Sequence, residues 1–172
     1  MIDLLKNWPV GEPVPAISLM QPWASAVADY GKDVENRKRR PFKHRGPIVI
    51  HASRTRPYAE DFQLFLKLAK ENGSSEEDLV GIINPDSSYS PETFPHGCIV
   101  AVANLVDVFS RTNPPPEDHP MNESPWKFAD AGSWLYLTDV TSVKDVDSKG
   151  FVGLFKVPYE IASKLEPFSD TT

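Results

Sequence analysis

The chain is poor in cysteine, in long apolar runs and, taken whole, in positive charge. A lone Cys98 excludes an intrachain disulfide and a multi-cysteine metal site, and it reads as a small buried hydrophobe. The longest apolar run is the six residues from Cys98 to Ala103, against the roughly 18 that a membrane span needs, so no membrane partner is expected. The first residues carry an acid at Asp3 and reach Trp8-Pro9 without an apolar core, which argues against a secretory signal and makes the cytoplasm the expected compartment. The phosphate-binding Gly-x-x-x-x-Gly-Lys loop, the dinucleotide Gly-x-Gly-x-x-Gly, the esterase Gly-x-Ser-x-Gly and the zinc signature His-Glu-x-x-His are all missing. Neither a cofactor nor a metal is expected. The histidines at 44, 51, 96 and 119 are scattered, and His51, closing an apolar stretch, reads as a hydrogen-bonded structural residue or as a base.

What is present is enough for one domain over 1–172: 172 residues, 40% of them hydrophobic, with a net charge of −6. Its 17 prolines are about twice the usual share of roughly 5%, which disfavours a helical bundle. A helix is predicted from Gln21-Pro22 to near Gly31, with proline at its first position. A second is predicted over 58–72, where Phe62, Phe65, Leu66 and Ala69 recur at helical spacing before a stop at Gly73. Ser74 and Glu77 have the form of a capping box for a short third helix reaching 79–82. Strands are predicted over 46–51, 97–109, 133–138 and 153–158. The longest is apolar on both faces, with Ile99, Ala101, Ala103 and Leu105 on one side, and should be central. The distribution suits an α+β domain with a curled, largely antiparallel sheet. Residues 110–132, with Pro114-Pro115-Pro116, read as a long polar loop, and a protein partner can be imagined there.

The charge is unevenly spread. Residues 32–56 hold nine cations and two acids, a net +7, so the other 147 residues carry −13. An acidic body with one basic face orients a polyanion more than it attracts one. Arginine dominates the cluster and can fork onto phosphate oxygens. Lys38, Arg39, Arg40, Lys43, Arg45, Arg54 and Arg56 are the candidate phosphate contacts; a solvated turn paired with acids is the alternative.

Lys32, Glu35 and Arg37 hold the most chemistry. Glu35 can activate a water while Lys32 stabilises developing oxyanion charge, or the three can form an ion-pair network bracing helix to sheet. Trp23 and Trp134 offer faces to an unstacked base or serve as packing, and Gln21 can read a base edge or start the helix.

Several stretches match a known pattern: Gln21-Pro22-Trp23-Ala24, then Lys32-Asp33-Val34-Glu35-Asn36-Arg37, then His44-Arg45-Gly46-Pro47-Ile48-Val49-Ile50-His51-Ala52-Ser53. With weaker matches at 97–107, 133–140 and 153–158, the chain resembles the ASCH (activating signal cointegrator homology) family over about residues 15–160. The resemblance implies a PUA-like β-barrel, mixed or antiparallel, with flanking helices and a cleft for RNA or single-stranded nucleic acid. The family's Gly-x-Lys-x-x-Glu-x-Arg motif would put Lys32, Glu35 and Arg37 in that cleft, although here Gly31 directly precedes the lysine and Tyr30 takes the usual glycine position. Some members of the wider clan are metal-independent hydrolases of the modified nucleoside N4-acetylcytidine, using a lysine, a threonine three residues on and a distant glutamate. Lys32 matches that lysine, Glu35 stands where the threonine would, and Glu117 and Glu123 are candidates for the distant glutamate. Ribonuclease activity is also attributed to some members, so the resemblance leaves a binding module, an amidohydrolase and a ribonuclease open.

Overall fold

The computed structural model describes residues 2–38, 42–80, 82 and 93–168. Arg39 and Arg40 lie outside the described residues. The helical spacing near residue 60 produces α2 (Ala59–Glu71), whose buried face is Phe62, Phe65, Leu66, Leu68 and Ala69. At its end Gly73 takes φ +96°, and the N–H groups of Gly73 and Ser74 bond the carbonyls of Lys70 and Ala69 at 3.0 and 2.9 Å, a cap that favours glycine. The first helix, α1 (Trp23–Asp29), has Pro22 at its N-cap, one place earlier than its expected first-turn position. The capping box lies one residue later than predicted. Ser75 and Asp78 exchange the two bonds, at 2.8 and 3.1 Å, and start α3 (Glu76–Val80), which puts Leu79 in the core. A last short helix, α4 (Tyr159–Ala162), carried no periodic signal in the sequence.

Among the described residues six strands form one mixed sheet: β1 (Val14–Leu19), β2 (Val34–Arg37), β3 (Gly46–Ala52), β4 (Cys98–Ser110), β5 (Ser133–Asp147) and β6 (Leu154–Val157), in the order β2-β5-β4-β3-β1-β6. β1 and β3 run parallel, and the other four pairings are antiparallel. β4 is interior, as its two apolar faces imply. Its alternation breaks, however: Ile99 packs with Val102 in one core cluster while Val100 packs with Ala101 and Ala103 in another. Register shifts between Ile99 and Ala101, and again between Val102 and Asn104, explain this, because each irregularity turns the strand over and adds curl.

The fold is α+β, as expected, but the described sheet does not close into a barrel. β2 and β6 are its two edges, each four residues long. Beside β2 runs a loop anchored on Asn36, whose amide donates to the Trp126 carbonyl at 2.7 Å and accepts from the Phe128 N–H at 2.8 Å. Residues 110–132 are therefore a strap packed onto the body. Met121 and Trp126 are fully buried, Ser124 bonds Asp33, His119 bonds Asp107 at 3.1 Å, and Arg111 bonds the Ala131 carbonyl at 2.9 Å.

β1, Ile48, Ile50 and α1 enclose one apolar cluster, and α2, Trp126 and Trp134 enclose a second. Phe65 touches Tyr30, Phe62 and Phe94 in the second. Phe65→Ala should cost about 3–5 kcal/mol in urea unfolding, whereas Leu64→Ala, one residue away and exposed, should stay within about 0.5 kcal/mol. Equal losses would contradict this assignment of the buried face.

Candidate functional site

The turn after α1 sets the site. Gly31 takes φ +69°, and a Cβ there would stand 2.5 Å from the Asn72 side-chain nitrogen, which donates to the Tyr30 carbonyl at 3.1 Å. Only glycine meets both demands. The chain then returns so that the Lys32 N–H bonds the Ala26 carbonyl at 3.0 Å and the Lys32 side chain runs inward.

Lys32 is 1% exposed and Glu35 7%. The ammonium donates to Glu35 Oε2 at 2.6 Å and to the Val34 carbonyl at 2.7 Å, which occupies two of its three protons. Glu35 Oε1 faces the Arg37 guanidinium at 3.6 Å, and that guanidinium also lies 5.7 Å from the centre of the Phe42 ring. Of the two roles left open for these residues by the sequence, the contacts present are those of an ion-pair network. Activation of a water by Glu35 would require one of its two cation contacts to open.

Lys32, Glu35, Arg37 and Lys38 nevertheless line a cavity of about 200 Å³. Its other walls are Trp23, Asn36, and Phe128, Asp130 and Ala131 of the strap, with the Trp23 and Phe128 rings edge-on at 5.9 Å. Trp23 is tied to α2 by a hydrogen bond to Asp61, whose carboxyl is pushed up chiefly by burial, with that bond opposing. Trp23 thus lies in the site. Trp134 is buried, bonds the Phe128 carbonyl at 2.8 Å and packs against α2's cluster, so it supports the wall from behind. Gln21 is fully buried with its amide used by Ser25 and by the Pro95 carbonyl, so it organises the helix start rather than a base edge.

A larger cavity, about 720 Å³, adjoins the first, and Arg37 lines both. Arg54 lies on its wall and also borders, with Arg56, an open third cavity. Lys43 and Arg45 line neither of the first two, and Arg45 spends its guanidinium on the carbonyls of Phe42 and His44 at 3.2 and 2.9 Å. At the floor of the larger cavity, His51 Nε2 donates to the Ser148 carbonyl at 3.0 Å. A carbonyl only accepts, so this fixes the tautomer, and Nδ1 accepts from Ser18 Oγ at 2.9 Å. Burial holds the imidazole below its ordinary 6.5, with the Ser148 bond opposing and Arg54 adding to the effect. Among the described residues no group of His, Cys, Asp or Glu side chains has the arrangement of a metal site, and no helix is long and apolar enough to cross a membrane.

The model of the ASCH domain matches residues 17–149. The chain belongs to the ASCH domain family. Among solved structures, a tyrosine-to-phenylalanine mutant of the ASCH protein of Zymomonas mobilis aligns with TM-score 0.50 at 12% identity, covering 90% of this chain and 100% of that one. The unmutated ASCH structure from the same organism aligns at 0.49 with 14% identity, covering 89% and 96%. The first of these likenesses bears on the fold alone. No curated relative matches. In this ASCH chain, the signals that sequence reasoning missed are Phe128 and Asp130, brought to the cavity by a strap about ninety residues distant, and the 148–153 segment of the larger cavity.

Two measurements test this geometry. Lys32→Met leaves a buried carboxylate facing only Arg37 and should cost about 3–5 kcal/mol in urea unfolding, while the double variant Lys32→Met/Glu35→Leu should cost clearly less. Additive losses would contradict the buried pair. His51, held by burial below its ordinary 6.5 in the folded state, binds fewer protons there than in the unfolded chain as pH drops below 6.5, so acidification removes stability. Between pH 7 and 5.5 the wild-type unfolding midpoint should fall more than that of His51→Gln. Identical falls would show that His51 titrates normally.

Proposed function

We propose that this ASCH domain binds single-stranded nucleic acid, with RNA the first candidate, one base entering the smaller cavity and its phosphate meeting Arg37. The observation that carries the reading is the position of Arg37. Its guanidinium is partly exposed at the common wall of two cavities, braced from behind by Glu35 and from the side by Phe42. A fixed, planar fork of donors suits a phosphodiester oxygen pair. The cavity behind it is small for a drug-sized ligand, whose sites run to about 300–1,000 Å³, and its aromatic edges and polar rim at Asn36 and Asp130 suit a flat heterocycle.

Lys32 and Glu35 act in this reading as positioning residues. The ammonium fixes the carboxylate, and the carboxylate fixes the guanidinium. Lys38, Arg54 and Arg56, all exposed, extend the positive face, and the acidic remainder of the chain turns a strand toward it.

The test is anisotropy of a labelled single-stranded RNA across a salt series. Each phosphate contact contributes about 0.7 to the slope of log K against log salt, so Lys38→Ala/Arg54→Ala/Arg56→Ala should weaken binding and flatten the slope by about two units. Arg45→Ala, which removes a guanidinium committed to backbone carbonyls, should leave the slope unchanged. Equal effects, or a flat wild-type slope, would overturn the reading.

A further inference from the structure

The segment joining β5 to β6 carries a feature that nucleotide binding in the smaller cavity does not use. Phe151 is 52% exposed and Val152 89%, both on the wall of the larger cavity. Exposed apolar side chains at a loop tip are common, but this tip is held. The Ser148 carbonyl takes the His51 bond, the Ser148 N–H bonds the Gly97 carbonyl at 3.1 Å, and Gly150 lies so close to His51 and Ser18 that a Cβ there would come within 2.4 Å of both. Anchoring before the tip at 148–150, and after it where Leu154 pairs with Ile17 of β1, keeps an aromatic ring in solvent beside a basic cavity. Lys149 adds its charge there, with its ammonium 5.3 Å from the centre of the Phe151 ring, and Arg54 and Arg37 complete the positive lining.

We propose that the larger cavity is a second nucleotide subsite: the base of the adjacent nucleotide stacks on Phe151, and Lys149 and Arg54 hold its phosphate. Arg37, shared by both cavities, takes the phosphodiester that links the two nucleotides. Arg54 and Arg56, which border the third cavity, continue the track. Stacking of a nucleobase on an aromatic ring is a stronger contact than an exposed lysine over the same ring, so the base displaces the ammonium and the lysine turns to the phosphate. The ligand class is therefore a linked strand of two or more nucleotides, not a free nucleoside. Phe151 and Val152 lie just beyond the segment matched by the family model, residues 17–149. The inference rests on the reading that the smaller cavity takes a nucleotide.

Calorimetric titration of the full chain with a 5′-mononucleotide, a dinucleotide and a single-stranded hexanucleotide of RNA separates the two. The hexanucleotide and dinucleotide should bind more tightly than the mononucleotide. Phe151→Ala should weaken the hexanucleotide about tenfold and leave the mononucleotide unchanged, and Phe151→Trp should retain affinity and show fluorescence quenching on binding. Lys149→Ala/Arg54→Ala should likewise act on the longer ligands alone. If the hexanucleotide binds and neither Phe151→Ala nor the double variant alters it, the second subsite is wrong while nucleotide binding in the smaller cavity stands. If Phe151→Ala weakens mononucleotide and hexanucleotide alike, the two cavities are one site and the subsite is again wrong. If no nucleotide binds, both readings fail together. All these substitutions are at exposed positions, and unchanged unfolding midpoints check that each variant folds.

Discussion

An ammonium sealed from water must be met by an opposite charge, and in this chain Lys32 is met by Glu35 at 2.6 Å. A buried pair of this kind adds little net stability over well-packed apolar residues, because desolvation of both ions offsets their attraction, yet losing one partner is costly. Its effect is geometric. Lys32 reaches Glu35 because Gly31 turns the chain after α1, and Glu35 reaches Arg37 because residues two apart in β2 share a face. The result is a guanidinium held at one place on the surface by two layers of charge behind it. Arg37 then belongs to both cavities.

The strap supplies the other half of the site. Asn36, between the two charged residues of β2, takes the Trp126 carbonyl and the Phe128 N–H, so the strand that orients Arg37 also fixes the wall opposite it. The same strap buries Met121 and Trp126 and brings Phe128, Asp130 and Ala131 to the smaller cavity. Cys98, by contrast, takes no part. Its thiol is pushed up to about 12, chiefly by burial, with the Asp145 and Asp147 charges adding, which keeps it an inert core side chain.

Local patterns were legible in the sequence and long-range ones were not. The spacing of Phe62, Phe65, Leu66 and Ala69 gave α2 with its buried face, and the apolar run at 98–103 gave the interior strand β4. β1 was missed because Pro15 reads as a turn, although proline is tolerated where β1 begins. β5 was cut short at Thr138, because from Asp139 on the apolar run gives way to polar and charged residues, although the strand continues to Asp147. For the site, the trio Lys32, Glu35 and Arg37 was legible, and so was its ambiguity between chemistry and bracing. Which cations share a cavity was not, because Arg45 and Arg54 look alike in composition; one is committed to carbonyls and the other borders two cavities. Nor could residues 110–132 be told from an unpacked polar loop, as the burial of Trp126 depends on partners far along the chain.

The central claim is that Arg37 is the anchor on which a bound strand is fixed. Nitrogen-15 NMR of the arginine side chains during titration with a short single-stranded RNA tests it directly. The Arg37 Nε–H resonance is expected to shift and slow its exchange with solvent, while that of Arg45 stays in place. A strand that binds and moves Arg45 while leaving Arg37 untouched would contradict the account.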